Sequence, residues 1–268
     1  MFSLNNGKGA RHPLSVTWSV WHAMFMREAI SRTMADRMAW FWMLFEPLAF
    51  VAIMVGIRAY TMKGQHIFGA EYIPWTVVGL MGFFLFRENM MQSIGAVEAN
   101  KALFAYRQVK TVDPVLVRCF LEGMLKSFVF LIFIFVGSLL KINLIPYHPL
   151  GVMCDWLSLW ALGWGAGLTL SVASSLVAEI GKVVRIMSLP LLILSGVIMP
   201  VQYLPHSIQE YIAWNPVVHG LENIRLSYFD GYRTLEQIDM AYLWIWSLAL
   251  FALGLALHLR FSQRLKAQ

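Results

Sequence analysis

The residues of this sequence that could do chemistry are charged side chains embedded in apolar runs. Glu46 stands beside Pro47 in the stretch 38–57, Arg87 and Glu88 adjoin near the end of 72–92, and Glu122 and Lys126 are four apart within 114–140. A lone charge at mid-bilayer depth costs about 2.5–3.5 kcal/mol on insertion scales, so each of these needs a partner or a water-filled path. Glu46 can carry a proton, or it can be satisfied against backbone freed by Pro47 or a polar interior. Arg87 either snorkels towards headgroups or lines a wide polar path. Glu122 and Lys126 share one helical face at that spacing and can neutralise each other.

Other chemistries lack their residues. A phosphate-wrapping loop requires Gly-x-x-x-x-Gly-Lys-Ser/Thr, and the nearest match, Gly181-Lys182-Val183, lacks both the earlier Gly and the hydroxyl. The seven His are scattered, with no His-x-x-x-His or Cys-x-x-Cys pattern for a metal. Ser174-Ser175 sits in an apolar helix, where hydroxyls bond back to the preceding turn. Cys119 and Cys154 fall near opposite ends of neighbouring spans and are read as unpaired packing residues. The sequence therefore predicts no catalytic residue, no metal site and no cofactor on this chain. Trp40, Phe41, Trp42, Trp75, Phe83, Phe84 and Phe86 fit interfacial belts or packing, yet aromatic faces also stack on sugar rings. Candidates for a substrate path are thus Arg58, Arg87, Glu46, Trp42, Phe83 and Phe84. Arg58, at the far end of the first run, is also explained as a headgroup anchor.

Lipid must cover much of the fold that positions these groups. Of 268 residues, 59% are hydrophobic and 13% charged, where soluble domains carry about 25% charged residues. A net charge of +6 does not mark a nucleic-acid surface, because the basic residues stand singly between apolar runs. Runs near the ~20 residues that span a bilayer lie at 38–57, 72–92, 114–140, 156–178, 186–200 and 240–259, the fifth being short and closed by Gly196 and Pro200. The expectation is an all-α membrane protein with six transmembrane helices and a transmembrane domain over 38–260.

Orientation follows from Lys/Arg asymmetry. Segments 1–37, 93–113, 178–186 and 260–268 hold thirteen basic residues, against five (Arg58, Lys63, Lys141, Arg225, Arg233) on the other side. Both termini, including the tail 261–268, are therefore expected in the cytoplasm. The polar stretch 1–14 shows no cleavable signal, so the first span is expected to be retained. Between them, 15–37 reads as an interfacial amphipathic helix, the alternative being a simple cytoplasmic extension of the first span. Trp18, Trp21, Phe25 and Ala29 recur on one side of it, while Arg27, Glu28 and Arg32 fall largely elsewhere. Segment 201–230 is too polar to span, and its backbone needs protein or water. A re-entrant or interfacial helical hairpin on the periplasmic face fits it best.

The inside loop 93–113 is the most telling. Exposed Leu103, Phe104 and Tyr106 would be costly there unless they dock on a cytoplasmic partner, such as a motor.

The run SIGAVEANKALFAYRQVKTVD at 93–113 resembles the cytoplasmic loop of group 2 capsular-polysaccharide export permeases, Gram-negative members of the ABC-2 transporter class. WNPVVHGLENIR at 214–225, LSGVIMP at 194–200, Arg27-Glu28 and Glu46-Pro47 are similar too, and the match covers residues 15–258. The resemblance implies a dimer of this chain seated on a pair of separate ATPase subunits that hold ATP and Mg. Glu98, Asn100, Lys101, Leu103, Phe104, Tyr106, Arg107 and Lys110 would couple to that ATPase. It implies a bacterial inner-membrane location and a cargo of lipid-linked, usually acidic glycan passed to periplasmic and outer-membrane export proteins. Export of O-antigen or teichoic-acid-like polymers is the alternative within the class. An ion-coupled carrier is the alternative outside it, disfavoured by the scarcity of mid-membrane carboxylates. A membrane acyltransferase would need clustered polar catalytic residues, which are absent.

Overall fold

The computed structural model describes residues 13–34, 38–61, 67 and 69–267, and every regular element among them is helical. Residues 1–12 of the tail lie outside the described residues. The chain runs α1 (Pro13–Met34), α2 (Ala39–Thr61), α3 (Tyr72–Ser93), α4 (Ala96–Ala99), α5 (Asp113–Leu139), α6 (Pro149–Leu176), α7 (Ala178–Leu194), α8 (His206–Ile212), α9 (Pro216–Tyr228), α10 (Met240–Arg260) and α11 (Ser262–Ala267). Local chemistry sets several boundaries. Pro stands in the first turn of α5, α6 and α9, where its fixed φ suits a helix and its missing N–H costs nothing. Asn215 and Asp239 cap α9 and α10 by accepting from Val217 N and Ala241 N, which satisfies N–H groups that a helix start leaves free.

Among the described residues three helices, α5, α6 and α10, are long and apolar enough to cross a membrane. Along α5, Phe128, Leu131, Phe135 and Leu139 are each at least half exposed. Their spacing of three or four residues makes them one apolar stripe, the expected face towards lipid tails. α3 behaves differently. Val77, Val78, Leu80, Met81, Phe83 and Leu85 are essentially inaccessible, so this helix is sheathed by its neighbours.

α6 supports that sheath. It packs between α3 and α10, and its glycines permit close approach. A Cβ at Gly163 would lie 2.9 Å from Asn89 Cβ, and one at Gly165 would lie 2.9 Å from Ser247 O. Small residues at such crossings let helix backbones come together where lipid supplies no hydrophobic drive. The main core joins α3, α6 and α9. A second core gathers Met24, Val97, Phe104, Val109 and Leu265 beneath the 93–113 loop.

Two boundaries differ from expectation. The short run at 186–200 is helical only as far as Leu194, in a helix that begins earlier, at Ala178, with one residue between it and the end of α6. Val177 is extended (φ −138°, ψ 100°) and separates the two. The expected loop 141–155 is also partly helical, because α6 starts at Pro149.

Candidate functional site

Polar side chains collect at the two ends of α3. Past its last turn, Gly95 adopts φ 81°, a left-handed conformation that a side chain would strain, and the chain reverses into α4 and a 3₁₀ turn, Lys101–Ala105. Side chains brace this loop from beneath. Asn100 Nδ2 donates to Ala96 O at 2.8 Å, and the Arg27 guanidinium donates to Asn100 Oδ1. Asp113 accepts from Lys110 N at 2.7 Å and from Trp21 Nε1 at 3.0 Å. α1 is therefore bonded to the loop within it, at Asn100, and at its end, at Asp113.

The bracing divides the expected coupling residues. Glu98, Lys101, Tyr106, Arg107 and Lys110 are exposed, and Leu103 is half-buried. Phe104 and Asn100 are buried. The expectation that Phe104 faces a partner is corrected here. A 3₁₀ turn places three residues per turn, and this one turns Phe104 into the cluster that holds Val97, Val109 and Leu265. Tyr106 is the large side chain left outward, at 67% exposure.

Behind the loop lies a mesh of charges. Arg32 meets Glu28 at 3.3 Å, the Glu122 carboxylate, and Gln92 Oε1 at 3.1 Å. Arg118 Nε lies 2.7 Å from Glu28 Oε1. The sequence pairing of Glu122 with Lys126 gives way to Glu122 with Arg32, because α1 packs across α5. Lys126 is buried instead with its ammonium 5.8 Å from the Phe84 ring centroid, a cation–π contact.

At the other end of α3, Arg225 and Glu222 from α9 pair at 2.7 Å and are both wholly buried. The guanidinium stacks on Trp75 at 3.6 Å and donates to Gly196 O at 2.8 Å. A Cβ at position 79 would collide with it, so Gly79 makes its seat. Glu222 Oε2 accepts from Thr234 Oγ1 at 2.6 Å and Tyr232 OH at 3.0 Å. Burial, then the Glu222 charge, push the Tyr232 phenol up to about 12, which keeps it a donor. Sequence reasoning had counted Arg225 only as a loop cation. The available signal was opposite charge at i,i+3 inside the apolar stretch HGLENIR.

The substrate-path candidates separate as well. Arg87 Nη1 lies 2.8 Å from Glu88 Oε1 and 3.7 Å from Glu46 Oε1, so Glu46 gains a cation across α2 and α3. Trp42, one turn before Glu46, is 56% exposed and packs edge-on to Phe45. Phe83 and Phe84 are buried in the main core and do not join that group. Arg58 falls in α2, and its side chain lies outside the described residues.

Among the described residues no group of three His, Cys, Asp or Glu could hold a metal ion, and Cys119 and Cys154 are unpaired. The arrangement offers braced surfaces and neutralised charges.

No family model matches the chain. It is similar to curated proteins over nearly its whole length. A polysialic acid transport protein, KpsM, of Escherichia coli is 31% identical over 240 residues, covering 88% of this chain and 91% of the relative. The capsule polysaccharide export inner-membrane protein CtrC of Neisseria meningitidis is 28% identical, covering 92% of each chain. BexB of Haemophilus influenzae, with the same description, is 26% identical and covers 96% of this chain and 97% of its own.

Proposed function

The chain belongs to the capsule polysaccharide export inner-membrane proteins, and from that premise we propose that it is the permease subunit of an ATP-driven ABC exporter. In this reading α2, α3, α5, α6, α7 and α10 span the membrane, α1 lies at the cytoplasmic interface, and α8 and α9 re-enter from the periplasmic side. Both termini are cytoplasmic. A second copy completes the channel, and an ABC ATPase dimer holds the ATP and Mg. The cargo is a lipid-linked capsular polysaccharide, received beyond the membrane by periplasmic and outer-membrane export proteins.

The observation that carries this reading is the 93–113 loop. An exposed, flexible loop would absorb a push, whereas this one is anchored by Phe104 below and by bonds from Arg27, Trp21 and Asp113. Tyr106, Arg107, Lys101 and Glu98 stand outward on that platform. Motion of an ATPase seated on them would pass into the adjoining ends of α3 and α5 and tilt the bundle. At the wall of the path, the Glu46–Arg87 pair keeps both charges compensated while remaining able to exchange partners with a passing anionic sugar.

The test is the chain co-purified with its ATPase and reconstituted in vesicles. Tyr106→Asp should abolish glycan-stimulated ATP hydrolysis and export, with insertion and melting temperature unchanged. Normal export by that variant overturns the coupling assignment. Transport by this chain alone overturns the ABC reading.

A further inference from the structure

A cleft of about 680 Å³ opens between α8, the corner joining α8 to α9, and the start of α10. That is within the ~300–1,000 Å³ typical of small-ligand sites. We propose that this cleft is a saccharide subsite taking uncharged pyranose units of the exported glycan, with Tyr211 and Trp214 as its stacking platforms. The proposal rests on the reading of the chain as a polysaccharide exporter and adds to it a contact for cargo outside the spanning bundle.

The geometry is that of a built platform. Tyr211 and Trp214 are 70% and 73% exposed, with ring centroids 6.0 Å apart and planes at 68°. Exposed rings on a floppy loop would fold back on themselves, but this corner is pinned. Tyr242 OH donates to Trp214 O at 2.9 Å, His219 Nε2 to Ala213 O at 2.7 Å, and Asn215 Nδ2 to Ser195 Oγ at 3.1 Å. Asp239 N donates to His219 Nδ1 at 2.9 Å, so both imidazole nitrogens are spent on backbone. A rigid aromatic face contributes contact without a large ordering cost when a ligand arrives.

Charge selects among ligands that stack on aromatic rings. Among the described residues the cleft is lined by Glu210, Asp239 and Gln237, with no Lys or Arg. Phosphate headgroups and sugar carboxylates would meet like charge there, and like charge within a few ångströms is costly. Hydroxyls and amides of an uncharged sugar would instead find carboxylate acceptors and the Gln237 amide beside two apolar ring faces. That combination favours a neutral saccharide over a lipid surface.

The experiment uses the full chain in phosphatidylglycerol nanodiscs and saturation-transfer NMR, with an N-acetylglucosamine hexamer and a sialic acid hexamer as probes. The neutral hexamer should receive saturation through its ring C–H protons, and the acidic one should bind more weakly. Trp214→Ala should weaken the neutral probe by about fivefold, which is about 1 kcal/mol, and Trp214→Phe should restore most of it. Tyr211→Ala, on the exposed face, should act in the same direction. Equal binding of both probes, no binding of either, or indifference to Trp214→Ala overturns the subsite. Saturation of Trp214 by lipid signals alone would assign the rings to the membrane surface and overturn it too. Export by the wild-type chain with its ATPase is measured in parallel. Export without saccharide contact at Trp214 sinks only the cleft, whereas absence of any polysaccharide export sinks the permease reading.

Discussion

The two charged clusters at the ends of α3 hold the molecule together on different terms. Arg225 and Glu222 are sealed, with no exposure, and their partners are fixed groups: a ring face, carbonyls, a phenol and a hydroxyl. The mesh of Arg32, Glu28, Glu122 and Arg118 is shallower, with side chains 5–21% exposed, and its links are redundant. Arg32 touches three side chains, and Glu28 touches two cations. A sealed pair has one arrangement and is stranded if either member is lost. A redundant mesh can trade partners. The first suits a fastening, and the second suits a joint.

The contrast breaks first at Arg225. Arg225→Ala should cost about 3–5 kcal/mol, because it leaves Glu222 buried without its cation, and thermal unfolding in detergent would show it. Arg225→Lys should not rescue, since an ammonium lacks the planar fork that stacks on Trp75 while donating to Gly196. A loss below about 1 kcal/mol would erase the distinction between the two ends. Next is the loop anchor. Phe104→Asp buries a charge in an apolar cluster and should destabilise by about 3 kcal/mol, whereas exposed Tyr106→Asp should stay within about 0.5 kcal/mol. Equal melting of the two variants would mean that the loop is not braced as described.

Smaller again is Glu122→Gln, at about 1.5 kcal/mol for a hydrogen bond to a charged group, because Arg32 keeps Glu28 and Gln92. Combined with Glu28→Gln, the loss should exceed the sum by about 0.5 kcal/mol or more, the mark of shared partners. Strict additivity in that cycle would contradict a mesh. The least effect is expected at Glu46→Gln. Its pair with Arg87 is long and half exposed, and such pairs contribute about 0–1 kcal/mol. Any change there should appear in glycan export instead of melting.

Much of this was legible in the sequence, and the exceptions share a cause. Apolar run length reveals a lipid-facing helix, so 114–140 and 240–259 coincide closely with α5 and α10. The boundary between α6 and α7 carries no Pro or Gly, and Val177 turns the chain through its backbone alone, which hydropathy does not register. The loop at 93–113 was recognisable by its composition, but not which of Phe104 and Tyr106 turns inward. That depends on a 3₁₀ turn instead of an α turn, a difference of a fraction of a residue per turn. Arg225 was misread because a charge in a linker usually signals water. Here Trp75 and Gly79, nearly 150 residues earlier in the chain, supply the enclosure.

α3 is one helix of 22 residues, about 33 Å long at 1.5 Å per residue, and no proline interrupts it after Pro74. Its first turns lie under a guanidinium stacked on Trp75, and its last turn, at Gln92, is gripped by Arg32. Such a rod transmits torque: rotation imposed at Gln92 reappears at Trp75, beneath the short helices on the far side. In the proposed exporter, the end that meets the ATPase and the end beneath the short helices would therefore share an axle.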